Sequence, residues 1–131
     1  MISKEANDVV ILCIDDDPDI LNLLKKILTG AGYSVIVAGD GKRGIDEALS
    51  RQPDLILMDV MMPEIDGYVA CFELQANPET KFIPVIFLTA LNDEVNREKA
   101  FAVGAADHLT KPIRKDILLK KIDEQIKTST R

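Results

Sequence analysis

The chain has 131 residues, 47% of them hydrophobic, with 22 acidic side chains against 16 Lys and Arg and a formal net charge of −6. That length suits one compact domain with a real core and leaves no room for a second, and the acidity argues against direct binding to nucleic acid, whose affinity rests on Lys and Arg meeting phosphates. No apolar run approaches the roughly 20 residues of a membrane span, residues 1–8 carry no signal-peptide core, and Cys13 and Cys71 form neither a disulfide framework nor a zinc motif, so a reducing cytoplasm is the expected setting.

Residues 9–14 are wholly apolar and predict a short strand buried on both faces, ending in Asp15-Asp16-Asp17. Asp17-Pro18 supplies an N-cap and a first-turn proline, after which Ile20, Leu21, Leu23, Leu24, Ile27 and Leu28 recur at helical spacing until Gly30 and Gly32 end the helix. Residues 35–38 read as a second strand and 42–51 as a second helix, with Ile45, Ala48 and Leu49 on one face. A third strand over 55–58 is followed by Asp59, and a third helix over 67–75 stops before Asn77-Pro78. A fourth strand, 85–88, leads into Thr89, and a fourth helix covers 93–103, closed by Gly104. A weaker fifth strand, 105–109, is followed closely by Lys111-Pro112. The last helix, 114–127, repeats Ile117, Leu118, Ile122 and Ile126, and residues 128–131 read as a frayed end or the start of a linker. Strand and helix thus alternate five times, which calls for an α/β fold: a parallel sheet with helices on both faces and right-handed crossovers.

The residues just past each strand are the informative ones. In open parallel sheets ligands bind outside the carboxyl ends of the strands. One edge of this sheet therefore gathers Asp15, Asp16, Asp59, the Thr89 hydroxyl and the Lys111 amine. Two carboxylates about 4 Å apart repel by roughly 4 kcal/mol at an effective dielectric of 20, so such a cluster needs cations. Lys111 supplies one. A hard divalent ion supplies the rest, and Mg²⁺ fits best because it takes one or two carboxylates and keeps other positions for water and phosphate oxygens. The same groups suit phosphoryl transfer, in which a carboxylate is the nucleophile and an ammonium and a hydroxyl offset charge on the phosphoryl oxygens.

The motifs Ile14-Asp15-Asp16-Asp17-Pro18, Leu57-Met58-Asp59-Val60-Met61-Met62-Pro63 with Asp66-Gly67, Pro84 to Ala90, Gly104-Ala105-Ala106-Asp107 and Lys111-Pro112, in this order and spacing, resemble the receiver domain of two-component signalling. The match covers nearly the whole chain, as a single domain with its core over about 9–127. The resemblance implies a flavodoxin-like sheet of order 2-1-3-4-5 flanked by five helices. It implies a phosphoacceptor switch, not a turnover enzyme, that takes a phosphoryl group from a histidine kinase or phosphotransfer protein and controls an output domain or effector protein. Phosphorylation-linked dimerisation is a further possibility it carries. It makes Asp59 the phosphoacceptor, Asp16 and Asp59 direct Mg²⁺ ligands joined by the Met61 carbonyl, and Asp15 a ligand mainly through water. Thr89 becomes the switch hydroxyl and Lys111 the phosphoryl contact, with a cis Lys111-Pro112 bond. The output face of the fourth helix, fifth strand and fifth helix would include Asn96, Lys99, Ala100, His108 and Lys115. Met61 and Leu91 would flank the approach of water to the phosphorus. One departure stands out: His108 occupies the place, three before the Lys, where receivers usually carry Tyr or Phe, and imidazole is smaller, more polar and titratable near neutrality.

Other readings bound these. Asp17 reads as a helix cap only, and the Met61 side chain as core filler. Lys111, Lys115, Lys120 and Lys121 read as a solvated helix face in preference to a nucleic-acid patch, although Lys111 has its own role above. A half-exposed surface residue is an equally good reading of His108. Two rival functions remain open on the sequence alone. Asp15-x-Asp17 mimics the opening motif of haloacid-dehalogenase-type phosphatases, but that reading leaves Asp59 and Thr89 unexplained and needs a cap domain. A receiver-like module that never takes phosphate usually lacks the acidic pair, the acceptor or the Lys, all present here.

Overall fold

The computed structural model of the protein describes residues 8–89 and 95–129; Ala90 and Leu91 lie outside the described residues, as does the side chain of Asn96. The elements are β1 (Val10–Ile14), α1 (Pro18–Gly30), β2 (Ser34–Ala38), α2 (Gly41–Arg51), β3 (Leu55–Asp59), α3 (Gly67–Ala76), β4 (Val85–Thr89), α4 (Val95–Ala102), β5 (Asp107–Thr110) and α5 (Lys115–Ser129). They form one five-stranded sheet of order β2-β1-β3-β4-β5, the order the resemblance implies, with every pairing parallel, as the alternation predicts.

Side chains along each strand alternate between two cores. Leu12, Ile14, Ile56, Met58, Val85 and Phe87 pack with Ala48 of α2, Ala70, Cys71 and Leu74 of α3 and Ala100 of α4. Ile11, Cys13, Leu55, Leu57, Ile86 and Leu88 pack with Leu24 and Leu28 of α1 and Leu118 and Ile122 of α5. Both faces of β3 and β4 are therefore covered, which is why their runs are unbroken in hydrophobicity. The run in β2 misleads: Val37 is 43% exposed, on a strand at the edge of the sheet.

The helix starts are set by short polar side chains. Asp17, Asp40 and Asp66 cap α1, α2 and α3 by accepting from the backbone N–H groups of Asp19, Arg43 and Val69 at 2.8–2.9 Å. Helical phase corrects part of the expected output face. Ala100 points into the core at 4% exposure, so it leaves that face, while its neighbour Lys99 is exposed and its ammonium lies over the Tyr68 ring of α3 at 4.6 Å. His108 is half-buried and Lys115 exposed.

Candidate functional site

Strand order places the site. The chain leaves β1 toward β2 on one side and returns through β3 on the other, so the carboxyl ends of β1 and β3 flank the crevice where an open α/β sheet binds ligands. The register pairs Ile14 with Met58, which puts Asp15 and Asp59 at the same level, one residue further on. Asp59 pairs in turn with Leu88, the residue before Thr89.

Asp15 is fully buried and Asp59 is 6% exposed, whereas Asp16 is exposed at the rim. One carboxylate oxygen from each of the three lies within 4.8 Å of the others. Lys111 reaches in from the end of β5, its Nζ 3.2 Å from Asp59 Oδ1 and 3.4 Å from Asp15 Oδ2. The other Asp15 oxygen accepts from the Asp17 backbone N–H at 2.9 Å. The Lys111 backbone N–H donates to the Thr89 carbonyl at 2.8 Å, so the lysine is held at the end of β4, and the Lys111-Pro112 bond is cis, as expected. Thr89 is 6% exposed.

Burial pushes the Asp59 carboxyl up, against the opposing pull of Lys111 and a hydrogen bond from the Met61 backbone. Burial likewise raises Asp15, with Asp59 adding to the rise and the Asp17 backbone and Lys111 opposing it. Burial alone would lower the Lys111 pKa, but Asp59 and Asp15 outweigh it and the ammonium is held more firmly than usual. Two buried carboxylates thus share one ammonium, with a third carboxylate close by at the rim. An all-oxygen donor set with negative charge to spare fits a hard divalent cation.

The loop from β3 to α3 is packed onto this site. The Gly67 N–H donates to the Val60 carbonyl at 2.8 Å, and a Cβ at Gly67 would fall 2.5 Å from the Asp59 carbonyl oxygen and 2.9 Å from Val60 Cα. Only a residue without a side chain brings the start of α3 this close to Asp59.

Two sequence readings are corrected. The Met61 side chain is not core filler: it is 72% exposed, while Val60 and Met62 are buried. The two-face alternation of β3 runs on into the loop, with Val60 and Met62 in the core shared by α2 and α3 and Met61 on the opposite face, past the end of the other core. Lys121 is not part of a solvated face: its Nζ meets both carboxylate oxygens of Asp107, at 3.0 and 3.1 Å, across β5 and α5. Lys115 and Lys120 are exposed as expected. Asp17 is the predicted cap. The His108 side chain is 26% exposed, its Nδ1 3.8 Å from Asp107 Oδ1, beside a shallow cavity lined by Ala100, Phe101 and Ala105. The Lys99–Tyr68 stack has no sequence signal, since it joins side chains of two helices with no shared motif.

The chain matches the response regulator receiver domain family over residues 11–123. It is 40% identical over 121 residues to the DNA-binding dual master transcriptional regulator RpaA of Synechocystis sp., covering 92% of this chain and 50% of RpaA; the chain thus spans about half the length of that relative. It is 37% identical to protein PilH of Pseudomonas aeruginosa, over 86% of this chain and 93% of PilH. The crystal structure of the receiver domain of sensor histidine kinase PA1611 of P. aeruginosa, with a magnesium ion coordinated in its active-site cleft, is similar at a TM-score of 0.84 and 31% identity, covering 91% of this chain and 98% of that one. Chemotaxis protein CheY4 of Vibrio cholerae is similar at 0.84 and 30% identity, over 88% and 97%.

Proposed function

The chain belongs to the response regulator receiver domain family and is a phosphoacceptor switch, and on that premise we propose that Asp59 is the residue that takes the phosphoryl group. The observation that carries this is the Lys111 ammonium poised between Asp59 and Asp15 at the crevice between β1 and β3. An Asp59 carboxylate oxygen attacks the phosphorus of a donor, the bond from phosphorus to the donor's leaving group breaks, and an aspartyl phosphate forms. Lys111 offsets the charge gathered on the phosphoryl oxygens. The Thr89 hydroxyl, at the adjacent strand end, donates to one of them and so couples the modification to the segment after β4.

We assign a divalent cation, Mg²⁺, to this cluster. Asp16, Asp59 and the Met61 carbonyl would hold it, with Asp15 acting mainly through water. Bound there, the ion would supply positive charge to offset that of the phosphoryl oxygens. Asp15 keeps Lys111 in place through the 3.4 Å contact. Asp17 takes no part, because its carboxylate accepts from the Asp19 N–H to cap α1, which also speaks against a phosphatase built on Asp15-x-Asp17.

We assign the whole described region to a single receiver domain that works in the cytoplasm. Its donor is a histidine kinase or phosphotransfer protein, and its target an output domain or effector protein, with dimerisation a consequence of phosphorylation. It is a switch without turnover of its own, and it makes no direct contact with nucleic acid or membrane; no helix among the described residues is long and apolar enough to cross a bilayer. The test is mass spectrometry after treatment with acetyl phosphate and Mg²⁺. A single added phosphoryl group is expected on the wild type and on Asp17→Asn, and none on Asp59→Asn. Full labelling of Asp59→Asn overturns the assignment.

A further inference from the structure

Among the described residues α4 is the first helix after Thr89, and beside the buried Ala100, which shares a core with Ala70, Cys71 and Leu74 of α3, it meets α3 through an aromatic stack. The Lys99 ammonium lies 4.6 Å from the centre of the Tyr68 ring. That ring meets Phe87 edge-on, with centroids 5.4 Å apart and planes 73° apart. Phe87 lies on β4 two residues before Thr89 and pairs in register with Met58, the residue before Asp59. Tyr68 follows Gly67, the residue whose backbone lies against Asp59 and Val60. The stack therefore spans from α4 to the two strand ends that hold the acceptor and the hydroxyl.

The chemistry of the contact is suited to a reversible hold. Tyr68 is 7% exposed, so its ring face is shielded from water, while Lys99 is exposed and keeps its ammonium hydrated on the outer side. A cation over an aromatic face is attracted by the ring quadrupole, more strongly as water is excluded. Unlike a methylene wedged into the core, this contact can be released without opening a cavity.

We propose that Lys99 seated on Tyr68 is a latch that holds α4 in its resting position and thereby opposes the conformation that phosphorylation favours. The proposal rests on the reading of Asp59 as phosphoacceptor, and names how that site is regulated. A contact made in the resting state and lost in the other shifts the equilibrium by its own differential strength and no more. By linkage, releasing the latch must tighten binding of any ligand that selects the active state.

The test uses beryllofluoride with Mg²⁺ as the phosphoryl mimic, titrated by NMR or fluorescence against the full chain. Wild-type binding that depends on Asp59 establishes the underlying reading, and its absence sinks that reading separately from the latch. Given that binding, Lys99→Met is expected to tighten the apparent affinity by roughly 2- to 5-fold, the range for a partly hydrated cation–π contact. Lys99→Arg and Tyr68→Phe, which keep the cation and the ring, should match the wild type. Lys99→Met should add nothing in a Tyr68→Leu background, and if Tyr68→Leu does not fold, the two Lys99 variants decide alone. Unchanged or weakened affinity in Lys99→Met, or equal tightening in Lys99→Arg, overturns the latch.

Discussion

Lys111 and Asp59 lie 52 residues apart in sequence and 3.2 Å apart in space, and their contact is the only direct neutralisation Asp59 receives from a cationic side chain among the described residues. Lys111 is shared with Asp15, so removing it leaves two buried carboxylates facing each other. Lys111→Met should therefore lower stability at pH 7 in Mg²⁺-free buffer by about 1–3 kcal/mol, the usual cost of stripping a partner from buried charge. Much of the loss should return on adding Mg²⁺ or on acidification, either of which removes the repulsion. Urea unfolding of wild type and variant at two pH values and two Mg²⁺ concentrations measures this, and a loss indifferent to both variables would mean that Lys111 acts by packing alone.

The acidic cluster also fixes the sign of a pH dependence. Burial raises both Asp15 and Asp59 above the usual carboxylate range in the folded protein. The folded state then holds protons that the unfolded chain has already released, so this contribution to stability is present at low pH and is lost as pH rises through the raised values. Lys111 works at the other end, since its raised pKa supports the fold until strongly alkaline pH. In Mg²⁺-free buffer, the difference in stability between wild type and Asp59→Asn should swing in favour of the variant as pH climbs from about 4 to 7. Mg²⁺ competes with those protons, so its stabilising effect should grow over the same interval and shrink in Asp16→Asn. Thermal melts across pH, with and without millimolar Mg²⁺, check both trends; a wild type that shows no Mg²⁺-dependent shift at pH 7 contradicts the metal assignment.

Much of this was legible in the sequence because it is written in short-range patterns. Unbroken apolar runs locate β1, β3 and β4, and the residue after each run gives Asp15, Asp59 and Thr89, since a parallel sheet sends all strand ends to one edge. Lys111 is legible for the same reason, and Asp17 by the proline behind it. What sequence does not carry is the azimuth of a side chain at an element's margin. Met61 stands between two buried neighbours and points outward, Ala100 turns inward from an expected surface, and Val37 is exposed on the edge strand β2. Nor does any spacing announce that Lys121 will find Asp107, which requires β5 and α5 to be docked first.

Gly67 offers a steric test of the loop that carries Asp59. A methyl group there would meet the Asp59 carbonyl oxygen and Val60 Cα, both backbone atoms that cannot swing aside. Gly67→Ala should cost about 1–3 kcal/mol, as overpacking typically does, and should push the start of α3 away from the site. Phosphorylation by acetyl phosphate should slow in the folded fraction as well, because Asp59 moves with its own carbonyl. Gly30→Ala makes the control, since a Cβ at Gly30 meets nothing within 4 Å. Equal behaviour of the two variants in melting and labelling would show that the close approach is not needed.

The exposed Met61 bears on how long the phosphoryl group lasts. Hydrolysis of an aspartyl phosphate needs water in line with the bond that breaks, and a polar group that orients that water lowers the barrier. Met61 comes two residues after Asp59, is 72% exposed and carries only a thioether, which is a weak hydrogen-bond acceptor. It can obstruct water at the mouth of the site and gives it little orientation. The expected result is a long-lived phosphoryl group whose loss depends mainly on a partner phosphatase or on return to the kinase. Met61→Asn, at the same exposed position, supplies a donor and an acceptor and should speed spontaneous decay several-fold while leaving the initial rate of labelling unchanged. Met61→Leu keeps the apolar obstruction and should decay as the wild type does. The measurement is the loss of phosphorylated protein over time, by intact mass, in Mg²⁺ buffer after the donor is removed. Identical decay in wild type, Met61→Asn and Met61→Leu would place control of the lifetime elsewhere in the site.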